Sequence, residues 1–308
     1  DGEAACAAVA GRGGVGPALA AMEAHPEEAK LQELACLLLH RLASWSLEHR
    51  TLIVSLGGVE RVVAAMKAHK KVPEVQASGC AALRDLAWES AENAKKIASL
   101  GGIESVLKAM MNRPKLAEVQ ERGCGALQVL ASDSEEIPLL IYENGGVQLV
   151  LKALQTHPTA PKVQEHGFAV LSNLGWSGEE ARGQIAIMDG IELVLGSMRA
   201  HPEVARAQAF GCAALQSLAC DSKEHRAKIA ELSGLELVLG AMQAHPGAAN
   251  VQAFGCAALQ SLACNTRPNI RRIAGLDGVR IVEDALENHP SSEKVREFGN
   301  MVLDTLGA

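Results

Sequence analysis

The sequence predicts an all-α superhelical solenoid of about seven three-helix repeats of 44 residues, and three observations carry that prediction. The first is an unbroken period of 44 residues, in which Gly13, Gly57, Gly101, Gly145, Asp189, Ser233 and Asp277 open successive copies of one unit. The second is apolar residues at spacings of three and four inside each copy, the signature of a helix with one buried stripe. The third is composition: 48% of residues are apolar but only 3% aromatic, as suits a core of alanine- and leucine-rich helices.

Each element of the unit has a local reason. A short first helix, as from Ser90 to Leu100 or Ser222 to Leu232, follows residues of capping type, Asp133, Asp221 and Asn265. The Gly-Gly, Asp-Gly or Ser-Gly pair closes it, because glycine accepts the left-handed conformation at a helix end. The second helix, as in Ile103-Glu104-Ser105-Val106-Leu107-Lys108-Ala109-Met110, runs to a His-Pro dipeptide, at 25–26, 157–158, 201–202, 245–246 and 289–290. Proline disfavours helical geometry in the residue before it, so these dipeptides are stops. Their histidines are expected to cap carbonyls at that helix end.

The third helix is the longest, as from Val204 to Cys220, and opens near a Val-Gln or Ala-Gln pair. Gly79, Gly123, Gly167, Gly211, Gly255 and Gly299 recur in its middle, although interior glycine costs about 1 kcal/mol relative to alanine. A cost repeated at one slot implies a steric demand, and the expectation is a second helix crossing too closely for a side chain.

By this reading residues 1–308 form one domain, with repeats at 13–56, 57–100, 101–144, 145–188, 189–232 and 233–276, an incomplete one at 277–308 and the remnant of a preceding repeat at 1–12. Both ends fall within a repeat, so the natural protein is expected to continue beyond one or both of them. Residues 208–220 and 252–264 are identical, a sign of duplication.

Composition narrows the function. A formal charge of -7 argues against a nucleic-acid partner, which needs a basic stripe to displace counterions. The apolar run Ala4–Ala10 is too short to span a bilayer. Of eight cysteines, Cys36, Cys80, Cys124, Cys212 and Cys256 share one slot. Equivalent slots in stacked helices lie roughly 10 Å apart, too far for a disulfide, so these read as buried reduced thiols. A reducing compartment such as the cytoplasm is expected, the nucleus being compatible as well.

No cofactor, metal or small-molecule substrate is expected, and no catalytic residues. Gly11-Arg12-Gly13-Gly14-Val15-Gly16 lacks the preceding strand of a phosphate loop and contains the repeat's own glycine pair. Cys220 and Cys264 occupy one slot of adjacent units, a poor geometry for a shared metal. Nucleophile, base and orienting acid converge at no recognisable spacing.

A short and two longer helices per unit, the glycine pair followed by Gly-Gly-Ile-Glu-Ser-Val-Leu at 101–107, and a third helix ending Ala-Leu-x-x-Leu-Ala at 82–87, 126–131 and 214–219 resemble the armadillo repeat family over essentially the whole chain. The resemblance implies a right-handed armadillo-type superhelix whose third helices line a concave face, where an asparagine ladder and intervening tryptophans hold extended peptides. Here the tryptophan slot holds Leu37, Ala81, Gly125, Ala169, Ala213, Ala257 and Met301, and the asparagine slot Arg41, Asp85, Val129, Asn173, Ser217, Ser261 and Thr305. One asparagine survives, so a nuclear-import receptor subtype, with its basic peptide ligand, is not implied.

Three residues past the asparagine slot stand Ser44, Trp88, Ser132, Trp176, Cys220 and Cys264. Trp88 and Trp176 share that register and are candidate anchors, since indole is a favoured interface residue. Packing over the adjoining first helix is the plainer role for them. Trp45, one residue beyond the slot, is expected to pack locally, as are Phe210 and Phe254. Arg41, Arg84, Asp85, Gln128, Asn173, Gln216 and Gln260 complete the candidate partner-binding set, a polar floor that is also the ordinary state of a solvated helix face.

The function these residues imply is a non-catalytic scaffold binding a protein partner or extended peptide along the concave face. The alternatives are a structural subunit of a larger cytoskeletal or axonemal assembly, or the regulatory arm of a multidomain enzyme or exchange factor.

Overall fold

The computed structural model describes residues 14–132 and 134–307. Among the described residues there are twenty α-helices and no strand. The expected helix over 1–12, Gly11–Gly13 and the capping role of Asp133 lie outside the described residues.

The chain divides into two compact units, Asp1–Thr156 and His157–Ala308. The first contains α1 (Val15–Ala24), α2 (Ala29–Trp45), α3 (Leu47–Ser55), α4 (Gly58–Ala68), α5 (Pro73–Ala87), α6 (Ala91–Ser99), α7 (Gly102–Asn112), α8 (Ala117–Ser132), α9 (Glu136–Glu143) and α10 (Gly146–Thr156). The second contains α11 (Pro161–Trp176), α12 (Glu179–Ile187), α13 (Gly190–Ala200), α14 (Ala205–Ala219), α15 (Lys223–Glu231), α16 (Gly234–Ala244), α17 (Ala249–Ala263), α18 (Arg267–Gly275), α19 (Gly278–Asn288) and α20 (Glu293–Leu306). Within each unit like packs on like. The third helices α2, α5 and α8 lie flank to flank in the first unit, and α11, α14, α17 and α20 do so in the second. The second helices form a parallel row behind them, with α1, α4, α7 and α10 in contact in turn and α13, α16 and α19 likewise.

The glycine pair has two distinct jobs. Its first member is left-handed: Gly57, Gly101 and Gly145 have φ near +80°, at 82°, 80° and 78°. Asp189, Ser233 and Asp277 hold the same conformation at 59°, 61° and 62°, so this slot tolerates a side chain. The second member meets a steric wall. A Cβ on Gly102 would sit 2.4 Å from Ile97 Cγ2 and 2.8 Å from the Ile97 carbonyl oxygen.

The glycines inside the third helix do meet another helix, the second of the repeat, and it is a methionine side chain of that helix that crowds them. A Cβ on Gly79 would lie 2.5 Å from Met66 Cγ and 2.7 Å from Met66 Sδ, and Gly123, Gly211 and Gly255 face Met110, Met198 and Met242 in the same way. The methionine of the second helix enters the space that the glycine leaves empty.

The capping assignment is corrected. Ser46, Ser90 and Ser222 cap the first helices, their hydroxyls accepting the backbone N–H of His49, Asn93 and His225. Asp221 and Asn265 stand one position earlier in a left-handed turn, each with φ 52°, and make no cap.

The histidines that end the second helices bond outward, to the preceding repeat. His69 Nε2 donates to the Pro26 carbonyl at 2.7 Å, His201 to Pro158 at 2.6 Å, and His245 and His289 to Pro202 and Pro246 at 2.7 Å. The carbonyls at their own helix end are capped instead by the glutamine of the Val-Gln or Ala-Gln pair. Gln76 Nε2 donates to the carbonyls of Met66 and His69, both at 3.0 Å, and Gln32, Gln120, Gln208 and Gln252 repeat the arrangement. A charged rung adds to this within single repeats, as in Lys96–Glu60, Lys228–Glu192 and Arg272–Glu236.

Cys36, Cys80, Cys124, Cys212 and Cys256 are buried free thiols, and burial pushes each pKa up to about 12. At that value the thiolate that reacts with disulfides or metals is scarce, and the sulfur packs as an apolar atom.

Candidate functional site

The face built by the stacked third helices is closer-packed than the ladder pattern implies. Ala81, Gly125, Ala169, Ala213 and Ala257, which stand in the tryptophan slot, are all buried. Their small size lets neighbouring third helices touch directly. In the second unit Ser172 Oγ on α11 donates to the Ala213 carbonyl of α14 at 3.2 Å. A Cβ on Gly175 would lie 2.4 Å from Ser217 Oγ. The asparagine slot is drawn in with them: Asp85, Val129 and Ser217 are buried, while Arg41 is exposed and Asn173 and Ser261 are half-buried.

Asp85 therefore cannot offer its carboxylate to a partner as expected. It is 5% exposed, and its oxygens are spent within the fold. His40 Nδ1 on α2 donates to Asp85 Oδ2 at 2.5 Å, and Arg84 Nε donates to Oδ1 at 2.6 Å. Burial by itself raises the pKa of Asp85. The hydrogen bonds from His40 and Arg84, with their charges, outweigh it and hold the carboxyl below its ordinary value. A carboxyl depressed in this way stabilises the fold above its ordinary pKa, and the contribution is lost as pH falls through the folded-state value. Asp85→Asn is expected to cost about 1.5 kcal/mol near neutral pH in urea melts. That deficit should begin to shrink below about pH 4, where the unfolded parent takes up a proton, and vanish once pH falls below the folded-state value. A deficit that stayed constant down to acid unfolding would refute the ionic role.

The other candidates are spread over both units. Trp88, at the C-cap of α5, and Trp176, the last residue of α11, are 48% and 51% exposed. Arg84, Gln128, Asn173, Gln216 and Gln260 are half-buried. Trp45 packs locally as expected, its ring stacked on His49 with centroids 5.3 Å apart. Phe210 and Phe254 pair at 6.2 Å, with Phe254 seated on the cluster of Ala209, Ala241 and Val251. Arg84 and Asp85 are the candidates that the structure bonds to each other. His40, their third partner, was invisible in the sequence, because a histidine one residue before the asparagine slot says nothing of a carboxylate 45 residues later.

One cleft brings a thiol, an imidazole and carboxylates together. It measures about 520 Å³ in the second unit, between α12 and α15, and is lined by Cys220, Asp221, His225 and Glu179 among others. Its chemistry is not that of an activated nucleophile. Burial and the adjoining Asp221, which accepts the thiol hydrogen at 3.4 Å, raise the pKa of Cys220. His225 Nδ1 is committed to the Leu218 carbonyl at 2.9 Å. Among the described residues no group of three or more His, Cys, Asp or Glu side chains could hold a metal ion. No helix there is long and apolar enough to cross a membrane.

No protein-family model matches the sequence, and no curated protein matches it either. Solved structures do match. A crystal structure of an engineered protein aligns with a TM-score of 0.78 at 24% identity, over 99% of this chain and 71% of that one. A chain from a structure concerned with the phosphorylation-controlled interaction between cadherin and β-catenin aligns at TM-score 0.69 and 15% identity, over 93% of this chain and 52% of that one. A designed armadillo repeat protein in complex with the peptide (KR)4 aligns at 0.61 and 14%, over 95% and 99%. With repeated three-helix units and these matches, the chain has an all-α, armadillo-type repeat fold.

Proposed function

We propose that the chain is a non-catalytic protein-interaction scaffold that holds an extended segment of a partner protein along the concave face of its third helices, in a reducing compartment. The observation that carries this reading is the pair Trp88 and Trp176. Both occupy one register of the repeat, both end a third helix, and both keep about half their surface in solvent. A core role would bury such rings, and a partly open indole at a helix end is a favoured anchor for a partner. Two of the structural neighbours are described with a peptide or a protein partner, which supports the same reading.

Linear peptides selected from a random phage-displayed library should bind the purified chain, and the double variant Trp88→Ala, Trp176→Ala should weaken them by about tenfold or more. Its far-UV circular dichroism should match the parent. Undiminished binding by the double variant would exclude the tryptophans as anchors.

A further inference from the structure

Two arginine–tryptophan pairs stand at neighbouring third-helix ends of the first unit. Arg41 and Trp45 lie on α2, and Arg84 and Trp88 at the end of α5. A separation of four residues puts both members of a pair on one side of the helix. The helices touch, and Asp85 ties them, accepting from His40 of one and Arg84 of the other. Arg84 is thereby oriented through Nε alone, and among the described residues its terminal amino groups enter no ion pair. Arg41 is exposed and forms none.

The charge at this edge is one-sided. In the last turns, Arg41 to Trp45 and Arg84 to Trp88, the helices carry two arginines against one acid, Asp85, which is buried. The matching turns Gln216–Cys220 and Gln260–Cys264 of the second unit carry no charged residue. On a chain with net charge -7, cations gathered beside two open indoles are a local departure that neither packing nor the repeat requires.

We propose that this edge sets partner selectivity, and that the segment it takes bears a carboxylate flanked by large apolar side chains. The proposal rests on the scaffold reading above and sharpens it. A guanidinium fixed on one side by a buried carboxylate presents a pre-oriented fork, the geometry that grips a second carboxylate through paired N–H donors. Trp45 and Trp88 supply apolar area beside it. Arginine and aromatic rings also suit single-stranded nucleic acid, but the acidic balance of the whole chain opposes a polyanion.

Fluorescence anisotropy with the full chain tests this, using a labelled dodecapeptide that alternates Asp with Leu and Phe, its Asn-for-Asp and Lys-for-Asp counterparts, and oligothymidine. The Asp peptide should bind about tenfold tighter than the Asn peptide and weaken as salt rises from about 0.05 M to 0.5 M. Arg41→Gln should weaken it about tenfold, and so should Arg84→Gln. Lys70→Gln, which removes an exposed cation just past α4, should leave it unchanged. Arg41 makes no side-chain bond among the described residues, so its variant tests binding even where Arg84→Gln lowers stability. Equal or tighter binding of the Lys peptide, or Asp-peptide affinity indifferent to both arginine variants, overturns the proposal and leaves the scaffold reading standing. Tighter binding of oligothymidine overturns it in favour of nucleic acid. Library peptides that depend on Trp88 and Trp176 yet carry no acid have the first of these effects. Failure of every peptide, library-selected ones included, sinks both readings.

Discussion

Gly102→Ala is expected to lower stability by about 3 kcal/mol, although it adds a single methyl group. The new Cβ would lie 2.4 Å from Ile97 Cγ2, which a rotamer change relieves, and 2.8 Å from the Ile97 carbonyl oxygen, which it does not. Ile97 is buried in the preceding helix α6, and its carbonyl belongs to the backbone that turns into α7. Relief therefore requires moving one helix against the next. The neighbouring Gly101 offers a control. Its φ of +80° favours glycine, but the same slot holds Asp189, Ser233 and Asp277 in other repeats, so Gly101→Asp should cost only about 1 kcal/mol. Urea denaturation of the pair decides the matter, and equal losses at the two positions would contradict the steric account. In an array where each repeat answers chiefly to its neighbours, the damage should concentrate in the repeats flanking the junction.

Gln76→Ala is expected to cost about 2–3 kcal/mol, more than the truncation of a polar side chain usually does. Gln76 is buried, and one amide group closes two carbonyls at the end of α4, those of Met66 and His69. Removing it leaves both acceptors facing a dry interior, where each unmade hydrogen bond carries its desolvation cost. Gln76→Glu should be worse still, since an ionised carboxylate would face two carbonyl oxygens. Chemical denaturation of Gln76→Ala beside an exposed control such as Lys70→Ala checks this; a loss under about 0.5 kcal/mol, the range of ordinary surface changes, would show that water reaches these carbonyls.

The same glutamine marks where sequence reading stops. Helix positions were legible because their causes are local. The span read as Ser90 to Leu100 is α6, Ala91–Ser99, and that read as Val204 to Cys220 is α14, Ala205–Ala219. Glycine pairs, prolines and apolar spacing all act within a few residues. In the sequence Gln76 is only half of the Val-Gln pair near a helix start, because its two acceptors lie at the end of another helix and become neighbours only after folding. Asp85 failed as a surface candidate for a related reason. The small Ala81 is buried in the neighbouring slot, α2 lies against α5, and His40 reaches the carboxylate across that contact. Trp88 and Trp176, at helix ends where little packs beyond them, stayed where periodicity put them.

The histidine bonds carry a consequence for how such a chain is made. Repeats of the second unit extend an imidazole N–H backward and offer a proline carbonyl forward, as His245 does to Pro202 and His289 to Pro246. Donor and acceptor travel together in one 44-residue cassette. A copied cassette thus arrives with both halves of its joint already matched, to the old neighbour on one side and to itself on the other. Lengthening by duplication needs no second, compensating mutation at this joint, and the identical strings at 208–220 and 252–264 are what such copying leaves behind.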